Sequence, residues 1–94
     1  MPDDLMLRCQ QRREYKVDGG TEWKWKEVSV VEAIGAASND IRCAYCYGAV
    51  RIHQQQVEHG PRDHVEHRLR SDSEYCRGGS YFLGEHRMSL QPVI

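Results

Sequence analysis

The sequence predicts a small α+β domain stapled by a metal ion, with residues 1–94 forming one domain. Three observations predict it. Cysteines and histidines fall at ligand spacing between Cys43 and Cys76. Two segments of alternating polar and apolar residues flank Gly19-Gly20, and a capped apolar stretch follows them. The expected architecture is an N-terminal β-hairpin plus one helix, packed beside a zinc-ribbon-like or treble-clef-like β-hairpin that carries the ligands.

A chain of 94 residues allows one domain, and its apolar material is thin: 39% hydrophobic residues and a mean hydropathy of -0.74. Domains this small bury a low fraction of their surface and often need a disulfide or a metal to hold them. Charged residues make up 29%, but the formal net charge is only -1, which argues against a dedicated electropositive nucleic-acid binder. Met1-Pro2-Asp3-Asp4 places acids where a secretory leader needs bases. No run reaches the roughly 18 apolar residues of a membrane span. A soluble, cytoplasmic protein is therefore expected, and in a reducing compartment four cysteines read as ligands rather than bridges.

Residues 1–12 carry no period and read as a flexible lead-in. Glu14-Tyr15-Lys16-Val17-Asp18 and Thr21-Glu22-Trp23-Lys24-Trp25-Lys26 alternate as half-buried strands do, and the intervening glycines suit a tight hairpin turn. Trp23 and Trp25 share a face and are the largest apolar groups available, so that face is expected to pack on the core. An aromatic pair at this spacing could alternatively stack nucleic-acid bases. Ser29-Val30-Val31-Glu32 fits a capping box and opens a helix of about nine residues that ends near Ser38-Asn39-Asp40.

Residues 41–77 form the metal region. Ala49 to His53 alternates as a strand, His59-Gly60-Pro61 is a turn, and Arg62 to Leu69 reads as the returning strand. Ser71-Asp72-Ser73 is expected to be a loop bringing Cys76 round, Tyr81-Phe82-Leu83 could close the core, and Leu90 to Ile94 reads as a loose end.

Zinc takes four tetrahedral ligands from Cys thiolate and His nitrogen, and a structural site fills all four with protein. The Cys-x2-Cys pair, Cys43 and Cys46, supplies two sulfurs on one side of a tight turn, with Gly48 expected to relieve the backbone at its exit. Cys76 is the third thiolate. The fourth ligand is His64 or His67. On a strand, residues three apart point to opposite faces and only one reaches the metal, whereas on a helix both could and Cys76 could be released. His67 is preferred as the one nearer Cys76 in sequence. Glu66 or Asp63 could orient the ligating ring. Thiolate-rich tetrahedral sites also accept iron. Cys9 has no partner at ligand spacing and reads as a small buried or semi-exposed thiol, while His53, His59 and His86 read as isolated surface residues.

The order of Arg42, Cys43, Cys46, Gly48, Val50, Arg51, Gly60, Pro61, His64, His67 and Cys76 resembles the zinc-binding segment of CoiA-like competence proteins, which is also found in short bacterial proteins. Val65 stands where that family tends to have Phe. The resemblance covers residues 42–76; it implies a zinc site, a bacterial origin and a role near DNA, although the nuclease-like domain of the competence proteins has no room here.

A filled Cys3His shell leaves no open position for water or substrate, so no catalytic residues are expected. The expected function is a non-enzymatic protein-interaction or scaffold module with one structural Zn2+, meeting a protein partner or a second copy, with no membrane and no small-molecule substrate. The alternative is a nucleic-acid-binding module in a DNA-processing system, with Arg42, Arg51, Arg68 and Arg70 as candidate contacts; Arg62 belongs to the same cluster, and nearby acids offset it. A metal-dependent nuclease is the third reading, with His64 or Glu66 as its base.

Overall fold

A computed structural model describes residues 6–35, 40–55, 58 and 62–94. It is an α+β fold of two antiparallel sheets and two short helices. Strands β1 (Arg8–Val17) and β2 (Gly20–Ser29) make a hairpin of ten residue pairs, and β3 (Ile41–Arg42) adds to the outer edge of β1. The second sheet pairs β4 (Val50–His53) with β5 (His64–His67). Helices α1 (Val30–Gly35) and α2 (Arg70–Glu74) follow β2 and β5.

The hairpin turns where expected: Gly19 and Gly20 have φ of 87° and 158°, and the first lies where a side chain would be strained. The strands begin earlier than the alternation suggests. Arg8 to Arg12 belong to β1, and Met6 bridges Val65 and is buried, so described residues 6–12 are ordered rather than a flexible lead-in. Helix α1 starts where the capping box places it, with the Glu32 amide donating to Ser29 Oγ at 3.1 Å. The Glu32 carboxylate turns instead to Arg13 and Lys26. The expected end of this helix over 36–39 and the turn at His59-Gly60-Pro61 lie outside the described residues.

The tryptophan face does not pack on the core. Register puts Arg12 and Glu14 opposite Trp25 and Trp23 on one face, and Cys9, Gln11 and Val28 on the other. Helix α1 lies on the second face, where Gln11 Nε2 donates to Ala33 O at 3.3 Å. Trp23 is 58% exposed. Trp25 is half-buried between two guanidinium groups, with Arg12 4.7 Å and Arg42 4.2 Å from its ring. Arg42 also stacks on Tyr47 at 3.9 Å, so the indole face is covered by an arginine–aromatic stack.

The core that remains is made of small groups. Its buried apolar members are Met6, Cys9, Val28, Val30, Ala33, Cys43, Cys46, Val50, Val65 and Cys76. No described Leu, Phe, Tyr or Trp is among them. Tyr81 and Leu83 are 55% and 66% exposed, so that run does not close the core.

Two further expectations are corrected. Ser71-Asp72-Ser73 lies in helix α2, with Asp72 and Ser73 buried; five residues are too few to show a helical period. The C-terminal segment is docked rather than loose. Ser89 N donates to Cys46 O at 2.9 Å, Val93 N to Tyr47 O at 2.8 Å, and Arg42 to Val93 O at 2.7 Å. Arg12 bonds the main-chain oxygen of Ile94.

Candidate metal centre

Each candidate ligand is positioned by a short element. Cys43 and Cys46 occupy a knuckle between β3 and β4, closed by Tyr47 N to Cys43 O at 3.0 Å and Cys43 N to Gly48 O at 2.9 Å. Tyr47, not Gly48, takes the left-handed conformation, with φ of 64°. Gly48 is required for a different reason: a Cβ there would sit 2.3 Å from Asp72 Oδ2 and 3.2 Å from Ser89 Cβ. His67 ends β5, and Cys76 follows α2. The order knuckle, hairpin, short helix matches the treble-clef-like expectation.

Cys43, Cys46, His67 and Cys76 meet. Their ligand atoms all lie within 4.8 Å of one another, and the four residues could hold a metal ion. All four cysteines of the chain are free. Cys43 Sγ and Cys76 Sγ are 3.6 Å apart, close to the roughly 3.8 Å between two sulfurs bound about 2.3 Å from one tetrahedral ion. Each sulfur accepts an amide two residues on: Tyr45 N to Cys43 at 3.3 Å, Gly48 N to Cys46 at 3.4 Å and Gly78 N to Cys76 at 3.4 Å. Such donors stabilise thiolate charge. His67 Nε2 is buried and has no hydrogen-bond partner; a satisfied core histidine would not leave it so. The donor set therefore fits a soft, tetrahedral cation.

The electrostatics favour a cation as well. Hydrogen bonds from Cys46 and Cys76 hold the Cys43 thiol far below the usual range against the opposition of burial. Hydrogen bonding to Cys43 and then Cys76, with burial after them, keeps the proton on Cys46 and pushes its thiol upward. Burial opposes charge on His67, but contacts with Cys43 and Cys76 prevail and push it up to about 9.

Strand alternation decides between the histidines. Val65 and His67 face the core, whereas His64 lies on the opposite face of β5, pairs with His53 across the sheet and does not join the cluster. The expected orienting acids do not serve His67: Glu66 contacts His64 and Asp63 accepts from Gln55 N. Burial raises the Glu66 carboxyl, but His64, His53 and Arg51 outweigh it and hold the group below its usual range. Sequence reasoning missed the partners of His53 and His86, which is not isolated: His86 Nδ1 accepts from Arg77 N at 3.0 Å. His59 lies outside the described residues.

The candidate nucleic-acid contacts are engaged within the chain. Arg51 faces Glu66 at 3.5 Å, Arg70 faces Glu74 at 3.4 Å, Arg68 donates to Val50 O, and Arg42 lies in the stack described above.

Cys9 is fully buried beside the cluster. Burial first, then the charge of Cys43, raises its thiol to about 11. The native protein is expected to resist alkylation at Cys9 at pH 8, with full labelling only in denaturant, as peptide mass mapping would show. Between about 9 and 11 the unfolded chain releases this proton while the folded chain keeps it, so this group's contribution to stability falls as pH rises.

A family model matches residues 3–94. The chain belongs to that uncharacterised family. An uncharacterised protein of the bacterium Azorhizobium caulinodans is 44% identical over 52 residues, which are 54% of this chain and 56% of that protein. The chain thus spans about half the length of this relative. No solved structure matches. No helix among the described residues is long and apolar enough to cross a membrane.

Proposed function

We propose that Cys43, Cys46, His67 and Cys76 hold one structural zinc ion and that the domain is a non-enzymatic protein-interaction module. The observation that carries the metal assignment is the convergence of four donors within 4.8 Å, three of them fully buried sulfurs. Four protein ligands complete a tetrahedral shell and leave no position for a reacting water. The resemblance to the zinc segment of CoiA-like proteins supports zinc over iron. Four free cysteines suit a reducing compartment such as the cytoplasm.

The interaction reading is supported by the outer half of the β1–β2 hairpin. There Tyr15, Val17 and Trp23 are 38%, 42% and 58% exposed on an arm that no described helix covers. Large exposed aromatics are the groups that anchor protein interfaces. The measurement that tests the metal assignment is metal content by native mass spectrometry: one zinc per chain is expected, and iron or a stably folded metal-free chain would overturn it.

A second reading is favoured by one observation. The stack of Arg12, Trp25, Arg42 and Tyr47 combines guanidinium and ring planes as a single-strand binder does. Binding to fluorescent single-stranded DNA and RNA tests it, because phosphate contacts must weaken linearly on a log–log salt plot. The interaction reading expects no binding even at low salt.

A further inference from the structure

The face of the β4–β5 sheet turned away from the cysteine cluster carries two imidazoles and a carboxylate side by side. His53 and His64 are directly opposite in the antiparallel register, and Glu66 is two residues along β5 on the same face. His64 Nε2 lies 3.2 Å from Glu66 Oε1, and His53 Nδ1 lies 3.8 Å from Glu66 Oε2. The two imidazole rings are 5.1 Å apart between centroids.

One contact decides what this group needs. His64 Nδ1 lies 2.7 Å from the main-chain oxygen of Arg62. A carbonyl can only accept, so Nδ1 carries the ring hydrogen. The neutral ring then presents a bare lone pair at Nε2, and Nε2 faces a carboxylate oxygen, which is also an acceptor. Two acceptors 3.2 Å apart repel unless a cation lies between them: a proton on Nε2 or a metal ion bound by both. A ring nitrogen fixed by a hydrogen bond from the other nitrogen to a carbonyl is the usual arrangement of a metal-ligating histidine. The side chain of His64 is 5% exposed, so it is already held in place, whereas that of His53 is 43% exposed and free to turn about its side-chain bonds.

We propose that His53, His64 and Glu66 form a second, exchangeable binding site for a divalent transition-metal ion, distinct from the buried cysteine site. Donors around one such ion at about 2.1 Å are separated by roughly 3.0–3.4 Å. The His64–Glu66 gap already has that spacing, whereas the exposed His53 ring, 3.8 Å from the other carboxylate oxygen, must move in to complete the set. Two histidines and one carboxylate suit Zn2+, Ni2+ or Co2+ and leave coordination positions to solvent. Arg51 faces the same carboxylate at 3.5 Å and is the one cation among the described contacts of Glu66 that competes with the ion. Its side chain is 60% exposed, so it can swing into solvent. The difference in donors separates the two sites: thiolates for the inner one, imidazole and carboxylate for this one.

The test is a zinc titration of the full chain followed by native mass spectrometry, with the histidine ring resonances read by NMR. The wild-type chain should take a second ion after the first, with shifts at the His53 and His64 rings. His53→Ala and Glu66→Gln should each lose the second ion and keep the first. Replacing zinc by Co2+ in the second step should give the weak visible bands of nitrogen and oxygen ligands, without a new sulfur charge-transfer band. A wild-type chain that takes only one ion, or a second ion kept by His53→Ala, overturns the proposal. Because the His53 side chain is exposed and retention of the first ion reports an intact cysteine cluster, such a result counts against the second site and not against the inner zinc.

Discussion

Removal of the proposed zinc by a strong chelator at neutral pH is expected to abolish the cooperative thermal melt. Structural zinc contributes about 10–16 kcal/mol apparent in small zinc modules, against a net stability of about 5–15 kcal/mol for an ordinary domain. The interior offers little to make up the difference: among the described residues, four of the ten buried apolar ones are cysteines, and the largest wholly buried side chain is Gln11. Without an ion, hydrogen bonding to Cys43 and Cys76 and burial keep Cys46 protonated. Differential scanning calorimetry with and without chelator makes the comparison. A metal-free chain that melts at an unchanged temperature would remove the zinc assignment. Acid should act in the same direction, since each thiolate ligand must give up its metal to take a proton.

Gly79→Ala is expected to cost about 3 kcal/mol or more, at or beyond the upper end of ordinary overpacking. A Cβ at Gly79 would lie 2.0 Å from Ser73 O and 2.6 Å from the Ser73 carbonyl carbon and Cα. All three are backbone atoms of α2, so no side chain can swing aside. Gly79 N also donates to Cys76 O at 2.8 Å, closing the turn that holds the third sulfur. The strain therefore reaches the metal site, and zinc affinity should fall together with stability. Gly35→Ala is the control. Nothing lies within 4 Å of a Cβ there, and alanine favours the helix by about 0.5–1 kcal/mol. Urea melts of the two variants should move in opposite directions. Equal stability of Gly79→Ala and the parent would mean that the loop after Cys76 does not pack on α2 as described.

The four residues of the cysteine–histidine cluster were legible because ligand chemistry leaves few choices of residue and spacing. Strand alternation allowed only one of His64 and His67 to face the cluster, and nearness to Cys76 in the sequence pointed to His67. The hairpin turn and the capped start of α1 were legible for the same local reason. What failed were inferences from size. Trp23, Trp25, Tyr81 and Phe82 were placed inside because large apolar groups usually are. This core instead closes on sulfur, valine and alanine, and the aromatic rings pair with arginines: Arg70 with Tyr81, Arg77 with Tyr45 and Arg87 with Tyr75, in addition to the stack at Trp25. Those pairings link residues far apart in the chain, and no local period announces them. Helix α2 is too short to show a period, and the docked C-terminal segment was missed because it is held by main-chain bonds to distant partners.

That docking has a kinetic consequence. The carbonyls of Cys46 and Tyr47 accept from the amides of Ser89 and Val93, and Arg42 reaches across 51 positions to Val93. Contacts of such sequence separation slow a fold, because the intervening chain must be ordered before they form. During synthesis the knuckle therefore emerges well before the strand of chain that seals it. The carbonyls of Cys46 and Tyr47 therefore gain these partners only after more than forty further residues have been added, so the knuckle turn forms before the segment that braces it.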